Sequence, residues 1–322
     1  MRLAMGTVSV ALVVLLVGSS LWHPPDSEEK AAQTVEKLGG KVKRDETKPG
    51  RPIVAVNLEG TSATDQDLKQ LAGLKGLASL ALRGTQVTDD GIKMLAGLDT
   101  LTALDLSSTK VSDAGMKSVS GLTNLTQLYL NDTRVTDAGL RALTPLQRLI
   151  LLDLGESKMT DDGMTVVAGF TKLKLLRIAY SRVTDVGMKQ LIGLKELTHL
   201  DLRGLPVTDA GVKELGVLTK LTELHLSGTR ITDNGISELS GLDNLSSLYL
   251  HATPVTDLGM RVLAGMNRLS VLNLADTKIT DTGLKQLIGL KKLTWLILAN
   301  TSVTQGGLLE LRAVLPTCKI DR

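Results

Sequence analysis

One sequence unit recurs along most of this chain at a fixed step of 24 residues. Its clearest mark is a hydroxyl residue followed by an acid, found at Thr64-Asp65, Thr88-Asp89, Ser112-Asp113, Thr136-Asp137, Thr160-Asp161, Thr184-Asp185, Thr208-Asp209, Thr232-Asp233, Thr256-Asp257 and Thr280-Asp281, with Thr304-Gln305 in phase at the end. A glycine column from Gly91 to Gly307 keeps the same step. Such periodicity indicates stacked units that bury their apolar faces only against one another. The chain therefore contains eleven such units, here called rows, without insertions.

Each row combines a strand pattern with a helix pattern. Leu104 and Leu106 alternate with polar residues, which predicts a short strand with one buried face. The segment from Thr88 to Gly97 begins with capping residues, carries apolar Ile92 and Leu95, and ends with glycine. This order predicts a helix of about two turns. Strands that alternate with helices form a parallel sheet with right-handed connections.

The first half of the unit reads L-x-x-L-x-L-x-x-T, as from Leu101 to Thr109. It resembles the leucine-rich repeat family, whose units of about 20–29 residues read L-x-x-L-x-L-x-x-N. The 24-residue unit is similar to bacterial repeats and to those of F-box proteins, and the resemblance covers Ile53 to about Ile320. It implies an α/β leucine-rich repeat solenoid (horseshoe), with a parallel β-sheet on the concave face and short helices on the convex face.

A hydroxyl residue replaces the family's asparagine in ten rows. The replacements are Thr61, Thr85, Thr109, Thr133, Ser157, Ser181, Thr229, Thr253, Thr277 and Thr301. A hydroxyl both donates and accepts hydrogen bonds, so it can satisfy backbone groups in the buried turn. Leu205 occupies the remaining row and has no such group, so we expect the ladder of hydroxyl residues to be weakest there.

The aspartate column brings like charges together, because neighbouring rows lie about 4.8 Å apart. Each adjacent pair repels by about 0.8 kcal/mol in water. A helix N-cap contributes about 1 kcal/mol, which offsets this repulsion. We interpret the aspartates as N-caps; a calcium-binding ladder is the alternative, since regular aspartates occur in calcium-binding repeats. The glycine column two residues later is interpreted as close helix packing.

The amino terminus carries an export signal. Residues 3–21 contain no charged side chain and follow Arg2, with Gly18, Ser19 and Ser20 near their end. This pattern predicts a cleaved signal peptide. A retained membrane anchor is the alternative, because about 20 apolar residues span a bilayer; a buried core helix is the third. The first two place the protein outside the cytoplasm, in the periplasm or extracellular space, or anchored to the membrane.

The segments that flank the repeats predict caps at both ends of the stack. Ser27 to Leu38 form an amphipathic pattern, and Lys41 to Lys43 a short strand; Leu308, Leu311, Val314 and Leu315 predict a last helix before Pro316, and Cys318 is interpreted as a core thiol. The expected organisation is a signal peptide or anchor at 1–25, an N-terminal cap at 26–52, repeats at 53–307 and a C-terminal cap at 308–322.

Outward-facing strand residues are the candidate binding surface. The densest group comprises His199, Asp201, Arg203, His225, Tyr249 and His251, and Tyr129 and Trp295 project from the same face. Aromatic and arginine residues favour interface hot spots, and the chain has only six aromatic residues. We expect a partner-binding patch here. The alternative is that variable strand positions collect polar residues at random. Asp105, Asp153 and Asp201 are expected to face solvent.

Catalytic and metal-binding patterns are weak. A single cysteine excludes an internal disulfide and a thiolate metal cluster. His199 and His251 are expected about 16 Å apart from strand spacings, too far to share one ion. A hydrolase that uses His225 with Asp201 is the enzymatic alternative. We expect a non-catalytic protein without a cofactor or metal.

The expected partner is another protein or a cell-surface macromolecule on the concave face. Basic columns such as Lys110, Arg134 and Lys158 lie beside the aspartates, and 37 basic residues balance 34 acidic ones, so nucleic acid is not expected. Membrane contact is expected only through residues 3–22 if they remain uncleaved, and the protein is expected to be monomeric. A substrate receptor for ubiquitin ligation and a structural cell-envelope protein without a ligand are the alternatives.

Overall fold

Residues 26–322 are described by the computed structural model, so the predicted signal peptide or anchor at 1–25 lies outside the described residues. Within this part of the chain, every helix is too short or too polar to cross a membrane. One sheet contains the strands in sequence order: β1 Lys41–Arg44, β2 Ile53–Asn57, β3 Ser79–Ala81, β4 Ala103–Asp105, β5 Gln127–Tyr129, β6 Leu151–Asp153, β7 Leu175–Arg177, β8 His199–Asp201, β9 Glu223–His225, β10 Ser247–Tyr249, β11 Val271–Asn273, β12 Trp295–Ile297 and β13 Lys319–Asp321.

One helix precedes the first strand, and each later helix connects two successive strands. They are α1 Asp26–Lys37, α2 Asp65–Leu71, α3 Asp89–Met94, α4 Asp113–Val119, α5 Asp137–Ala142, α6 Asp161–Val167, α7 Asp185–Met188, α8 Asp209–Val212, α9 Asp233–Glu238, α10 Asp257–Leu263, α11 Asp281–Gln286 and α12 Gln305–Val314. Helices are wider than the strand spacing, so the stack curves with the sheet on its concave face. The predicted α/β solenoid is confirmed, and strands β2 to β12 supply one strand for each of the eleven rows.

The core is a ladder of equivalent aliphatic residues. Strands β2 to β13 are parallel and in register, so that Leu80, Leu104 and Leu128 lie side by side. The second leucine of each pair, such as Leu106, is buried as well. Phe170 is the one aromatic residue in the core of residues 26–322. A stack of identical positions thus fills its interior without large rings.

The aspartates do not cap their own helices, contrary to the interpretation from sequence. Thr160 caps α6, because its hydroxyl accepts a hydrogen bond from the amide of Asp162 at 3.3 Å. Asp161 reaches the next row instead: Oδ1 accepts from the Thr184 amide and Oδ2 from the Thr184 hydroxyl, each at 2.7 Å. Oδ1 also accepts from the Gly187 amide at 2.9 Å. Each carboxylate therefore completes the cap of the following helix.

The same pair of bonds recurs between successive rows. From Asp65 to Asp281, each aspartate of the column accepts from the amide and hydroxyl of the residue 23 positions later. Both carboxylate oxygens are thus occupied by protein donors. The calcium ladder does not fit this arrangement, and hydrogen bonding replaces simple capping as the term that offsets the charge repulsion.

The hydrogen bonds between rows explain the residues found at the two ends of the aspartate column. Thr64 has no preceding aspartate, so Asp67 of its own row accepts from its amide and hydroxyl, each at 2.8 Å. At the other end, Gln305 follows Thr304 in place of an aspartate, and α12 is the last helix of the stack. A carboxylate is therefore present wherever a following cap needs one.

The glycine column makes room for these carboxylates. A Cβ atom at Gly115 would lie 2.6 Å from Oδ1 of Asp89, and one at Gly259 would lie 2.7 Å from Oδ1 of Asp233. Real Cβ atoms do not approach so closely, and moving either carboxylate away would disturb the hydrogen bonds that its Oδ1 accepts. The predicted close packing is thus an approach between a helix and the aspartate of the preceding row.

The hydroxyl column acts within each row. Thr109 donates to the carbonyl of Leu106 at 2.6 Å, and the other threonines of the column bond in the same way. Ser157 accepts from the amide of Met159 at 3.4 Å instead, and the Ser181 hydroxyl has no partner among the described residues. Leu205 is buried in the next row. The weak section thus covers three rows, two more than predicted.

Caps cover both ends of the described stack. Helix α1 buries Ala31 and Val35, and β1 joins β2 in antiparallel orientation. At the far end, β13 pairs in parallel with β12. Cys318 is buried, which raises the pKa of its thiol and agrees with a core role. Val314 is 39% exposed, so it does not share the buried face of α12 as predicted.

Replacing Asp161 by alanine should test the link between rows. The change removes three hydrogen bonds and leaves the Thr184 amide without its acceptor, whereas the Gly187 amide keeps its bond to the Thr184 carbonyl. We expect the free energy of unfolding to fall by about 1–3 kcal/mol, the usual cost of losing a bond to a charged group. Urea unfolding followed by circular dichroism measures the loss.

Asp162→Ala is the matched control, because this adjacent carboxylate is exposed and bonds to no other described residue. Its loss should cost less than about 1 kcal/mol, through the helix dipole alone. Equal losses for Asp161→Ala and Asp162→Ala would contradict the role of the aspartate column.

Candidate functional site

Strand register brings one column of polar residues together on the concave face. Asp153, Arg177, Asp201, His225 and Tyr249 occupy the same position on the five adjacent strands β6 to β10. Each follows a buried leucine, so its side chain points to the opposite face of the sheet. Parallel strands lie about 4.8 Å apart, so residues in this column can pair with their neighbours.

A polar cavity of about 350 Å³ opens over these strands. Four of the predicted site residues line it: His199, Asp201, Arg203 and His225. The structure adds Arg83, Asn131, Asp153, Arg177 and Glu223, which the predicted set leaves out. The cavity mixes acids and bases, and its volume lies in the range of about 300–1,000 Å³ that is typical of ligand sites.

Asp201 is buried and firmly paired, contrary to the expectation that it faces solvent. Its side chain is only 6% exposed. The Arg203 Nε atom donates to both carboxylate oxygens at 2.9 and 3.0 Å, and Nη2 donates at 2.6 Å. The Arg203 amide adds a fourth bond at 3.1 Å. This pairing raises the pKa of the Arg203 guanidinium and fixes both side chains.

Asp153 is also buried, with a side chain 12% exposed, but it has far fewer partners. Oδ1 accepts from the Gly155 amide at 3.0 Å, and Oδ2 lies 3.5 Å from Nη1 of Arg177. Burial raises the pKa of Asp153, and the bonds to Gly155 and Arg177 only partly oppose this. Asp105 is half-buried. The concave curvature and the side chains of neighbouring rows shield these acids from solvent.

Glu223 joins two histidines on adjacent strands. Its Oε1 lies 2.7 Å from Nε2 of His225, and its Oε2 lies 3.8 Å from Nε2 of His199. The His225 ring stacks on Tyr249, with centroids 4.0 Å apart and planes 5° apart. Burial raises the pKa of the Tyr249 phenol. This side of the cavity therefore presents preorganised rings held by one carboxylate.

The remaining predicted residues lie outside the cavity. His251 pairs with Asp276 at 3.1 Å. Tyr129 on β5 is the register neighbour of Asp153, so it borders the cavity. Trp295 is 37% exposed, and its indole donates to Asp321 at 2.7 Å on the carboxy-terminal strand. The structure thus groups six of the eight residues around the cavity and its edge, and places His251 and Trp295 away from its lining.

The hydrolase alternative finds no support in this geometry. The hydrolase needs Asp201 to orient His225, but Asp201 bonds to Arg203, and His225 pairs with Glu223. No group of three or more metal-ligating side chains occurs within residues 26–322.

Arg177, Asp153 and Glu223 are the main residues that sequence reasoning missed. Their signal was available, because positions 24 residues apart become register neighbours, which places Arg177 between Asp153 and Asp201. The predicted set consists mainly of histidines and aromatic residues instead. Charge alternation along one register column would have identified the cavity.

Comparisons with known proteins agree with the fold. A family model described as a leucine-rich repeat region matches residues 54–282. An internalin from Listeria monocytogenes is 21% identical, with a TM-score of 0.57, over 92% of this chain and 94% of the internalin. A leucine-rich repeat protein from Leptospira interrogans is 23% identical, with a TM-score of 0.57, over 79% and 74% of the two chains.

A plant peptide hormone receptor, solved in complex with RGF2, is 17% identical with a TM-score of 0.51. The match covers 87% of this chain and 51% of the receptor. No curated protein matches the chain in a sequence search. At these identities the internalin, the Leptospira protein and the receptor show a shared fold.

Asp153→Asn should change the pH dependence of stability. Because burial raises the pKa of Asp153, the folded protein binds this proton more readily than the unfolded chain. Ionisation of Asp153 therefore costs stability as pH rises above the ordinary aspartate pKa. We expect Asp153→Asn to be at least as stable as the wild type at pH 7 and to lose that advantage near pH 3.

Thermal unfolding at both pH values measures this difference. Asp201→Asn is the control, since it breaks a complete pair with Arg203 and should destabilise the protein at pH 7. A clear loss of stability at pH 7 in Asp153→Asn would contradict the account of Asp153.

Proposed function

Because the chain belongs to the leucine-rich repeat family, we propose that it is a non-catalytic protein that binds another protein through the cavity on its concave face. The observation that carries this proposal is the clustering of charged and aromatic side chains over β6 to β10. Leucine-rich repeat proteins commonly act as scaffolds for protein–protein interaction.

The difference in residue type between rows supports the cavity as the binding surface. At the register position that His199 and Glu223 occupy on β8 and β9, strands β2, β3, β4 and β11 carry alanine, serine or valine. Among β2 to β12, titratable residues at this position thus occur only on the two strands beside the cavity. Tyrosine and arginine are favoured at interface hot spots, and Tyr249, Arg177 and Arg203 supply both types.

The internal pairing of the site also suits recognition. The Arg203–Asp201 pair and the stacked rings of His225 and Tyr249 hold their side chains in place before a partner arrives. Preorganised groups lose less conformational entropy on binding. The similarity to a plant peptide hormone receptor supports a peptide or protein as the partner.

Alanine replacement of His225 and Tyr249 tests the binding surface. The purified protein, immobilised, should capture a partner from the native cell envelope or medium. Each variant should bind that partner at least about tenfold more weakly, because truncating a hot-spot residue costs about 2 kcal/mol or more and about 1.4 kcal/mol is tenfold in affinity. Calorimetry with the identified partner measures the affinity.

Val271→Ala on β11 is the matched control, since it lies on the same face beyond the cavity. It should leave the affinity unchanged, and all three variants should retain nearly the same unfolding midpoint. Undiminished binding by both His225→Ala and Tyr249→Ala would refute this surface.

The uncharged segment at residues 3–21 supports export as part of the same proposal. Cell fractionation and amino-terminal sequencing should find a processed or membrane-bound species. The double substitution Val14→Arg and Leu16→Arg would interrupt the apolar segment, so the variant should stay in the cytosol. Recovery of the intact wild-type chain as a soluble cytosolic protein would overturn the export proposal.

A further inference from the structure

Two rows of the cavity have an aspartate at the same repeat position, but only one of these rows also provides an arginine that pairs with it. Asp153 on β6 and Asp201 on β8 occupy equivalent positions two repeats apart. Arg203 follows Asp201 by two residues, whereas Gly155 stands at that position after Asp153. The repeat therefore contains its own comparison between a filled and an unfilled position.

The filled position shows what this aspartate can bind. Arg203 gives Asp201 three side-chain hydrogen bonds of 2.6–3.0 Å. Such two-pronged pairs between a guanidinium and a carboxylate are among the strongest hydrogen-bonded contacts in proteins. Their planar geometry selects arginine over lysine.

At the unfilled position, the buried carboxylate of Asp153 accepts few hydrogen bonds. Asp153 accepts one backbone bond, and its contact with Arg177, from the neighbouring strand, is 3.5 Å long. A buried charge without full hydrogen bonding is costly. Asn131 and Asp153 both line the cavity, so a side chain from outside can reach this carboxylate.

The arginines that line the cavity are mostly committed to other acids. The lining holds the carboxylates Asp153, Asp201 and Glu223 and the guanidiniums Arg83, Arg177 and Arg203. Arg203 bonds to Asp201, and Arg83 lies 3.7 Å from Glu59, which is outside the lining. Asp153 therefore has only the long contact with Arg177 among these cations, and an incoming guanidinium would supply the complementary charge that gives an interface its specificity.

We propose that the cavity binds an arginine side chain of the partner protein against Asp153, above Gly155, in the arrangement that Arg203 makes with Asp201. This inference rests on the proposed function, because it names the group by which a protein partner is recognised. Arg177 then shares Asp153 with the incoming guanidinium or turns toward Asp201, its register neighbour on β8.

The test uses acetyl-arginine amide as the probe and the full protein as the receptor. Carboxylate and amide NMR signals of Asp153 and Gly155 report binding, and acetyl-glutamine amide is the neutral control probe. The arginine probe should shift these signals and lower the pH at which Asp153 titrates, whereas the glutamine probe should not. Asp153→Asn should weaken probe binding at least tenfold.

Two further variants keep the result decisive. Gly155→Arg supplies the guanidinium from the chain itself; its Cβ would lie 2.7 Å from the Asn131 amide nitrogen and 3.3 Å from Oδ1 of Asp153, so the Asn131 side chain must move and Asp153 must shift slightly. This variant should abolish probe binding at Asp153. Arg203→Ala vacates Asp201 and should create a second probe site there, which shows that the measurement detects such a site.

Probe contact at Asp201 in Arg203→Ala, without contact at Asp153 in the wild type, would overturn the inference. Equal probe binding by wild type and Asp153→Asn would do the same. Either result leaves the proposed function standing, because partner capture and its loss in His225→Ala and Tyr249→Ala test that function separately.

Discussion

The hydrogen bonds from each aspartate to the next row are the interaction on which the stack depends. They connect residues 23 positions apart, so each helix start is completed by the row before it. The threonine supplies the amide and hydroxyl donors, and the glycine leaves the carboxylate space. Three columns of the repeat thus have one physical explanation. The same explanation covers the ends, where Asp67 replaces the missing preceding carboxylate and Gln305 stands where α12 ends the stack.

This regular framework removes the need for large rings in the core. Identical aliphatic residues pack against one another from strand to strand, and Phe170 is the single aromatic exception within the described core. Tyr129, Tyr249 and Trp295 therefore lie on the sheet surface. Because the core of this chain uses aliphatic residues almost exclusively, an aromatic residue on the sheet is a candidate for a surface role.

The concave cavity departs from the framework by burying charge. Asp201 is stabilised by its own arginine, whereas burial raises the pKa of Asp153 and its few partners only partly oppose this. Natural proteins accept such local costs mainly at functional positions. The weakened hydroxyl column at Ser157, Ser181 and Leu205 lies in the same three rows as β6 to β8. The rows of β6 to β8 thus depart from the repeat pattern both in their concave-face residues and in their hydroxyl column, and these rows lie beside the cavity.

The sequence by itself determined the row count, the alternation of strand and helix, the leucine core and the outward positions of His199, Asp201 and His225. These follow from local periodicity, because stacking places equivalent residues of successive rows beside one another. Only the tertiary structure decided that Asp161 bonds to Thr184, that Asp153 and Asp201 are buried, and that Trp295 pairs with Asp321. Those outcomes depend on side-chain reach between rows and on the curvature of the stack. Periodicity specifies which positions are neighbours, and the three-dimensional packing specifies which atoms meet.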